Sequence, residues 1–197
     1  MKSLRKTILF LVMAISVLAV PVDSVAQSLS TTRIYRIESV ANGKYISNGD
    51  NNANDAKIIF DDYDENSRGQ EWHFVETGRS NVYIIVNPTS GKAIDMAPTV
   101  GRPVQWDADV TNPNQPFRFT DKGNSIYTLS SAQYSSQYLA SSSASYPTMS
   151  YSHSGNDILF RFHDTGKVLP KYPVVGRTYN IVNTVSNEVL TALDDSE

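Results

Sequence analysis

Residues 91–119 read GKAIDMAPTVGRPVQWDADVTNPNQPFRF, and this stretch is the best-preserved part of a pattern that occurs three times in the chain. Each copy opens with a tyrosine in an alternating apolar run, at Tyr35, Tyr83 and Tyr127. Each copy closes on an aromatic residue, one intervening residue and a phenylalanine, at 72–74, 117–119 and 160–162. The copies repeat with a period of roughly 44 residues, which predicts a repeat architecture in which each unit buries one face against its neighbours.

The repeats have the composition of short β-strands. Tyr, Ile, Val, Thr and Phe occur in short alternating runs, which are separated by Asn-Gly, Ser-Gly, Lys-Gly-Asn and Asn-Pro turns. No stretch after residue 26 has a sustained helical period. Three units, each with room for four strands, are too few for a propeller. We therefore expect an all-β fold in which residues 33–163 form a closed barrel with pseudo-threefold symmetry, with the repeated Tyr and Phe residues in its core.

Residues 1–26 have the pattern of a secretory signal peptide. Three basic residues within positions 2–6 precede an apolar run over 8–20, and small residues at Ser24 and Ala26 stand at the cleavage positions. A membrane anchor is the alternative, but the apolar run is short for a bilayer and Pro21 follows it. We therefore expect cleavage near Ala26 and export to the medium, the periplasm or the cell surface, with no membrane association afterwards.

The charge and the cysteine content of the chain limit the classes of partner that it is expected to bind. The chain has 17 Lys and Arg residues against 20 Asp and Glu residues, and positions 1–26 hold three of the basic residues and one of the acidic ones. The exported part is therefore acidic, which argues against nucleic acid as a partner. The chain has no cysteine and three scattered histidines, so we expect neither a metal site nor a cofactor.

The polar segment 48–66 has a second reading as a calcium loop. Asp50, Asn52 and Asn54 have the alternate spacing of calcium ligands. However, Asp55 stands where such a loop needs a glycine for its sharp turn, and no glutamate closes the loop. We therefore interpret the segment as a solvated loop.

The pattern restarts after the third closing triplet. Residues 164–178 contain prolines and glycines and predict a linker. Residues 177–181 resemble the start of the first repeat, and Val189-Leu190 follows Tyr179 at the distance that separates Tyr45 from Tyr35. The sequence stops at Glu197 before another closing triplet. We expect residues 179–197 to begin an incomplete second module, as in a longer chain with further modules.

The ends of the repeats resemble a known family. Gln70-Glu71-Trp72 is a Gln-x-Trp tripeptide, residues 115–117 repeat it with Phe in place of Trp, and residues 157–160 are a degenerate version. Together with the segments 91–95 and 101–106, these motifs resemble the ricin B-chain type β-trefoil lectin family over residues 33–163. The resemblance implies a β-trefoil, and a family that binds galactose-like and related sugars in shallow pockets, one for each repeat that retains the binding residues.

The same resemblance implies a set of site residues. The family's pockets combine an Asp after the second strand, an aromatic platform and an Asn-Gln pair before the closing aromatic. In repeat two these fall on Asp95, Trp106, Asn114 and Gln115, with Gln105 beside the platform. The chemistry suits a sugar, because a carboxylate accepts hydrogen bonds from hydroxyls, a ring covers the apolar face of a pyranose, and amides bind further hydroxyls.

Two alternatives remain open within this set. The register of Trp106 is open by one residue, which makes Asp107 an alternative neighbour of the ligand. Gln115 either contacts the ligand or braces its loop through backbone hydrogen bonds. We expect Asp95 to lie in a loop and to face solvent.

The other two repeats lack the carboxylate. Repeat one has Ser47 in the place of the Asp and Gly69 in the place of the Asn. Repeat three has Ser141 in the place of the Asp, with Tyr151 near the platform and residues 156–157 as the amide pair. We therefore expect these two copies to be structural and sugar binding to be confined mainly to repeat two.

Two functions fit these observations. The first is a secreted, non-catalytic carbohydrate-binding module whose partner is a glycan or polysaccharide. The alternative is a structural or protein-docking trefoil without sugar binding, including as the N-terminal part of a larger secreted hydrolase. An enzymatic function is not expected, because no nucleophile, histidine or pair of carboxylates stands in a recognisable catalytic motif.

Overall fold

The computed structural model describes residues 29–96, 102–142, 145–151 and 155–170. These ranges contain twelve β-strands: β1 (Arg33–Ser39), β2 (Tyr45–Ser47), β3 (Ile59–Asp61), β4 (His73–Glu76), β5 (Val82–Val86), β6 (Lys92–Asp95), β7 (Val104–Asp107), β8 (Phe117–Asp121), β9 (Ile126–Ser131), β10 (Tyr138–Ala140), β11 (Thr148–Ser150) and β12 (Leu159–Val168). A single turn of 3-10 helix, Asn156–Ile158, precedes β12. No helix in the described ranges has the length and apolar character needed to cross a membrane.

Six of the strands form a closed barrel. Antiparallel pairing runs from β1 through β12, β9, β8 and β5 to β4. A bridge between Tyr35 and Trp72 closes the ring, with two backbone hydrogen bonds of 2.8 and 2.9 Å. The hairpins β2–β3, β6–β7 and β10–β11 cover the barrel, one from each repeat. The fold is therefore the β-trefoil that the repeats predicted.

Aromatic residues from all three repeats meet inside the barrel. Phe74, Phe119 and Phe162, one from each closing triplet, lie with ring centroids 5.1–5.5 Å apart. Tyr35 stacks on Phe74 at 5.1 Å, and Tyr127 stacks on Phe162 at 4.7 Å. Pairs at this separation gain energy beyond the burial of their area. The repeated Tyr and Phe residues thus form the core, as predicted, although Tyr83 is only partly buried and packs against it. This packing holds a chain that has no cysteine.

Backbone hydrogen bonds show which positions are equivalent in the three repeats. The residue after the second strand donates its amide to a carbonyl just before the closing aromatic in each copy: Asn48 to Gly69, Met96 to Asn114, and Ser141 to Asp157. The residues that precede these donors are therefore equivalent: Ser47, Asp95 and Ala140. The position of the predicted carboxylate in repeat three is thus Ala140 and not Ser141.

The last strand extends past the predicted end of the barrel domain. Strand β12 runs to Val168, and its final residues pair with the start of β1, with Val168 opposite Arg33 and Asp164 opposite Tyr35. Thr165 Oγ1 also donates to the carbonyl of Ile34 at 2.7 Å. Residues 164–168, which the sequence assigned to a linker, therefore belong to the barrel. The predicted signal peptide at 1–26 and the segment 179–197 lie outside the described residues.

Candidate functional site

Asp95 ends strand β6 and is buried rather than exposed to solvent. Its side chain is only 4% exposed, which corrects the expectation of a solvent-facing loop carboxylate. One oxygen, Oδ2, accepts hydrogen bonds from Asn112 Nδ2 at 3.0 Å and from Gln115 Nε2 at 3.3 Å. No donor among the described residues reaches the other oxygen, Oδ1, which is also buried. The carboxylate is therefore fixed in place with one acceptor oxygen unused.

Gln115 braces the loop that follows strand β7. Its Nε2 donates to the carbonyl of Asp107 at 2.9 Å, and its Oε1 accepts from the amide of Asp109 at 2.8 Å. Gln70 makes the same two bonds in repeat one, with Asp62 at 2.7 Å and Asp64 at 3.2 Å. The glutamine of the repeated tripeptide is thus a structural brace in both copies. In repeat two it also touches the carboxylate of Asp95, so that it connects the brace to the candidate site.

Asn114 and Asn112 lie on the same loop. The Asn114 carbonyl accepts from the amide of Met96, directly after Asp95, at 3.0 Å, and the Asn114 amide donates to Asn112 Oδ1 at 3.0 Å. Asn112 was not predicted from the sequence, although it holds Asp95 directly. Its position three residues before Gln115, in Asn-Pro-Asn-Gln, was the available signal.

Trp106 lies on the same face of the β6–β7 hairpin as Asp95. Asp95 pairs with Val104, and Ala93 pairs with Trp106, and directly opposed residues of an antiparallel pair share a face. Asp95 and Trp106 are therefore diagonal neighbours, about 7–8 Å apart, a separation that an aromatic side chain spans. Trp106 is 44% exposed, so a ligand can reach this residue from solvent.

Asp107 is engaged elsewhere. Its Oδ1 pairs with Lys92 Nζ at 2.6 Å, and its Oδ2 accepts from Asn54 Nδ2 at 3.0 Å. The hydrogen bond from Lys92, together with that from Asn54, lowers the pKa of the Asp107 carboxyl. Both of its oxygens thus have protein partners, which favours Trp106 over Asp107 as the neighbour of a ligand.

Gln105 is fully buried on the opposite face of the hairpin, where it holds the loop of repeat one. Its Nε2 donates to the carbonyls of Asn51 at 2.5 Å and Ala53 at 2.8 Å. Its Oε1 accepts from Asn48 Nδ2 at 2.9 Å and from Ser90 Oγ at 3.3 Å. Protein partners occupy both ends of this amide. Gln105 was predicted to lie beside the platform as a binding residue, but its role in the structure is to hold the loop of repeat one.

The geometry does not support the alternative interpretation of the loop in repeat one as a calcium-binding loop. Asp50 Oδ1 accepts from the amide of Gly69 at 2.5 Å, and its Oδ2 accepts from Ser67 Oγ at 3.0 Å. No group of three His, Cys, Asp or Glu residues that could hold a metal ion occurs in the described part of the chain. The carboxylate of Asp50 therefore closes the loop through protein donors.

Comparison with known proteins identifies the family of this fold. A sequence profile described as ricin-type beta-trefoil lectin domain-like matches residues 25–99 and 70–148. No curated protein sequence matches the chain.

Solved structures share the fold. The designed threefold-symmetric protein ThreeFoil is 24% identical, with a TM-score of 0.57, over 66% of this chain and 98% of that one. The C-half of an earthworm R-type lectin in complex with GalNAc is 21% identical, with a TM-score of 0.54, over 67% and 98%. The exo-beta-1,3-galactanase 1,3Gal43A from Clostridium thermocellum is 23% identical, with a TM-score of 0.60, over 69% of this chain but only 31% of the galactanase.

Proposed function

We propose that this chain, which belongs to the family of ricin-type β-trefoil lectin-like domains, is an exported, non-catalytic carbohydrate-binding module that binds a galactose-like or related sugar mainly through repeat two. The proposed site consists of Asp95, Trp106 and Asn114 as ligand contacts, with Gln115 and, added from the structure, Asn112 holding the carboxylate of Asp95 in place. Export rests on the signal-peptide pattern of residues 1–26.

The unused oxygen of Asp95 is the observation that carries the proposal. A buried carboxylate oxygen without a donor is unfavourable, and leaving such a group unpaired costs about 1–3 kcal/mol or more. Asn112 and Gln115 hold Oδ2, and so they fix the direction of Oδ1 before any ligand arrives. A sugar hydroxyl that donates to Oδ1 would remove the unfavourable term and pair with a charged acceptor, which is the stronger kind of hydrogen bond.

Trp106 supplies the apolar half of the proposed contact. A pyranose has one face of C–H groups, and an exposed ring next to a carboxylate can cover this face while the hydroxyls reach the polar side. Because the pocket is shallow and each hydrogen bond replaces one to water, each bond contributes only about 0.5–1.5 kcal/mol. We expect a dissociation constant of about 1 mM, which corresponds to about −4 kcal/mol, so that useful binding strength would require several linked modules.

The similar proteins suggest which class of sugar to test first. The earthworm lectin half is described with GalNAc, and the enzymes with similar trefoils include a galactanase and an endo-beta-galactosidase that releases GlcNAcα1-4Gal. These structures are less than 25% identical to this chain, and so they support the fold and suggest galactose-type sugars only as the first ligands to test.

A second candidate is the same trefoil within a larger secreted hydrolase. The observation that favours it is that the matching region covers only about a third of the galactanase and of the endo-galactosidase, in which a trefoil accompanies other parts of the chain. In that setting the trefoil would bring a catalytic part to its substrate. A purely structural trefoil remains the alternative if no sugar binds.

The decisive experiment is binding of glycans by the full chain and by Asp95→Asn. The substitution preserves the shape of the side chain but replaces one carboxylate oxygen with an amide that cannot accept a hydrogen bond. A glycan array finds the ligand, and calorimetry then gives its affinity. We expect Asp95→Asn to lower the affinity at least tenfold, and Ser47→Ala, at the equivalent position of repeat one, to leave it unchanged.

Tryptophan fluorescence provides an independent readout. The chain has two tryptophans; Trp72 is fully buried and Trp106 is exposed, so sugar on the platform should shift the emission of Trp106 alone. Trp106→Phe should remove the shift and weaken binding. Equal affinity of Asp95→Asn and the parent protein would refute the site, and absence of any sugar ligand would leave the structural trefoil as the function.

A further inference from the structure

A second cavity lies between repeats one and two. It has a volume of about 320 Å³ and is lined by residues 48, 50, 52, 66, 68 and 69 of repeat one together with residues 87 and 89 of repeat two. Of the positions equivalent to the proposed sugar site, only Gly69, the counterpart of Asn114, contributes to it. The cavity is therefore a junction between repeats and not the copy of the repeat-two site in repeat one.

Asn48 presents a fixed acceptor to this cavity. Its side chain is 2% exposed, and no donor in the described part of the chain reaches its buried Oδ1. The orientation of the amide follows from Gln105, which donates from Nε2 to two carbonyls and must therefore receive Asn48 Nδ2 on its Oε1. Asn48 Oδ1 is thus an acceptor held in one direction by a chain of hydrogen bonds.

Gly69 packs directly against this oxygen. A Cβ at this position would come within 2.6 Å of Asn48 Oδ1 and within 2.6 Å of the amide nitrogen of Asp50. The backbone of Gly69 lies outside the left-handed region, and so conformation does not require glycine here. Space does: any side chain at residue 69 would cover the oxygen of Asn48.

The cavity is lined by one carboxylate, Asp50, and one arginine, Arg68, besides amide and hydroxyl groups. Both oxygens of Asp50 accept hydrogen bonds, from Gly69 and Ser67. No carboxylate in the described ranges forms an ion pair with Arg68, although seven such pairs occur elsewhere in them. In a chain with a net charge of −3, an arginine beside a cavity and without an acidic partner is well suited to a ligand anion.

We propose that this cavity binds an acidic saccharide, a pyranose that carries a carboxylate or a sulfate group. Arg68 would hold the anionic group, because the planar guanidinium offers paired donors to such groups. Asn48 Oδ1 would accept a ring hydroxyl. The hydroxyl of Thr89 and the amides of Asn52 and Asn66, which also line the cavity, would bind others. The site has no aromatic platform, its carboxylate, Asp50, already accepts a protein hydrogen bond on each oxygen, and it does not depend on the proposed site at Asp95.

The test is calorimetric titration of the full chain with D-galacturonic acid, galactose 6-sulfate and D-galactose. We expect at least one of the two acidic sugars to bind, with at least tenfold lower affinity in Arg68→Gln. Arg118→Gln is the charge-matched control, because Arg118 is exposed in strand β8, away from the cavity, and it should leave the affinity unchanged. The tighter of the two acidic sugars identifies the anionic group.

A nuclear magnetic resonance experiment locates the ligand. The side-chain amide signals of Asn48, Asn52 and Asn66 should move with the acidic sugar, and they should still move in Asp95→Asn, which disables only the site in repeat two. Failure of both acidic sugars to bind at 10 mM, or equal binding by the parent protein and Arg68→Gln, overturns the proposal. Loss of acidic-sugar binding in Asp95→Asn with no change in Arg68→Gln assigns the ligand to repeat two and also overturns it.

Discussion

Repeats one and two use a carboxylate in the same part of the fold in different ways. Asp50 lies in the loop after β2 and has a protein donor on each oxygen, the Gly69 amide and the Ser67 hydroxyl. Asp95 ends β6 and has both of its donors, Asn112 and Gln115, on one oxygen. The first carboxylate completes a loop, whereas the second has one oxygen that no donor among the described residues reaches.

The difference shows that a carboxylate in this fold is informative only through its partners. Both repeats carry the same glutamine brace, and both place a lysine opposite an aspartate on the covering hairpin. These shared features keep the shape of the loop. What distinguishes repeat two is the unused oxygen of Asp95, together with the exposed ring of Trp106. Changes to the shared features should therefore affect stability in both repeats, whereas changes to these two features should affect binding.

The largest expected effect concerns the middle residue of the closing triplets. His73 in repeat one is largely withdrawn from water, and this burial lowers its pKa to about 4, whereas Arg118 at the same position of repeat two is exposed. The folded protein therefore favours neutral His73. Its stability should fall as the pH drops below about 6.5 and should level off below about 4, by up to about 3 kcal/mol at about 1.4 kcal/mol per pKa unit.

Urea unfolding between pH 7 and pH 4 measures this effect as a difference between variants. Carboxylates contribute to the same curve, and so the comparison is between the slopes of the parent protein, His73→Gln and Arg118→Gln. The fall of the unfolding free energy with decreasing pH should be less steep in His73→Gln than in the parent protein, and it should be unchanged in Arg118→Gln. Parallel curves for the parent and His73→Gln would show that burial does not hold the imidazole neutral.

Removal of either bracing glutamine should lower the stability of the protein by a similar amount, but only one of the two removals should weaken sugar binding. Gln70→Ala and Gln115→Ala each remove two bonds to backbone groups, and we expect each to cost roughly 2 kcal/mol. Only Gln115 also touches Asp95, so only its replacement should weaken sugar binding. Denaturant titration and calorimetry on both variants check this, and equal loss of sugar binding in the two would indicate that general loosening of the loops, and not the contact with Asp95, controls affinity.

The fold could be predicted because its signals are local and repeated. The closing triplets at 72–74, 117–119 and 160–162 all enter barrel strands, and the Tyr and Phe residues that recur with them form the core. Each triplet independently requires a buried strand, and three agreeing signals fix the period. The end of the last strand was missed, because residues 164–168 pair with β1 through their backbone and include only one large apolar side chain, Val168, and therefore no alternating apolar pattern.

The site was predicted less completely, because its partners are distant in sequence. The main partners of Gln105 lie more than fifty residues earlier, and nothing next to Gln105 announces them. The carboxylate position of repeat three was predicted one residue too late, at Ser141, because neither Ala140 nor Ser141 has a carboxylate that would mark the end of the strand in the sequence. The hydrogen bond from the Ser141 amide to the Asp157 carbonyl, which matches the one from Met96 to Asn114, identifies Ala140 only in the structure.

Replacement of the less buried carboxylate, Asp50, should destabilise the protein more than replacement of the more buried one, Asp95. Asp50→Asn replaces one of two acceptors that protein donors use, and we expect a cost of about 1 kcal/mol. Asn also tolerates the left-handed backbone of residue 50, which has φ 53°. Asp95→Asn can turn its amide toward the side without a donor and should change stability by less than about 0.5 kcal/mol, although Asp95 is the more buried. Thermal unfolding of both variants tests this order, and a larger cost at Asp95 would mean that a protein donor already holds Oδ1.

The smallest expected effect concerns the lysine–aspartate pairs of the two hairpins. Lys44 and Asp62 in repeat one are 3.1 Å apart, and Lys92 and Asp107 in repeat two are 2.6 Å apart. Both aspartates are mostly exposed, so each pair should contribute less than about 0.5 kcal/mol. The pair in repeat two should be the stronger of the two, because the Lys92 side chain is 14% exposed against 34% for Lys44.

Lys92→Met and Lys44→Met preserve the apolar stem and remove the charge, and so their difference in urea midpoint isolates the pairs. The hydrogen bond from Lys92 lowers the pKa of Asp107, so its contribution is present above the unfolded pKa near 3.8 and is lost as the pH falls below it. In 1 M NaCl, where the screening length falls to about 3 Å, both contributions should become smaller. A Lys92→Met cost above about 1 kcal/mol that persists in 1 M salt would show that Lys92 acts by packing on the hairpin and not by its charge.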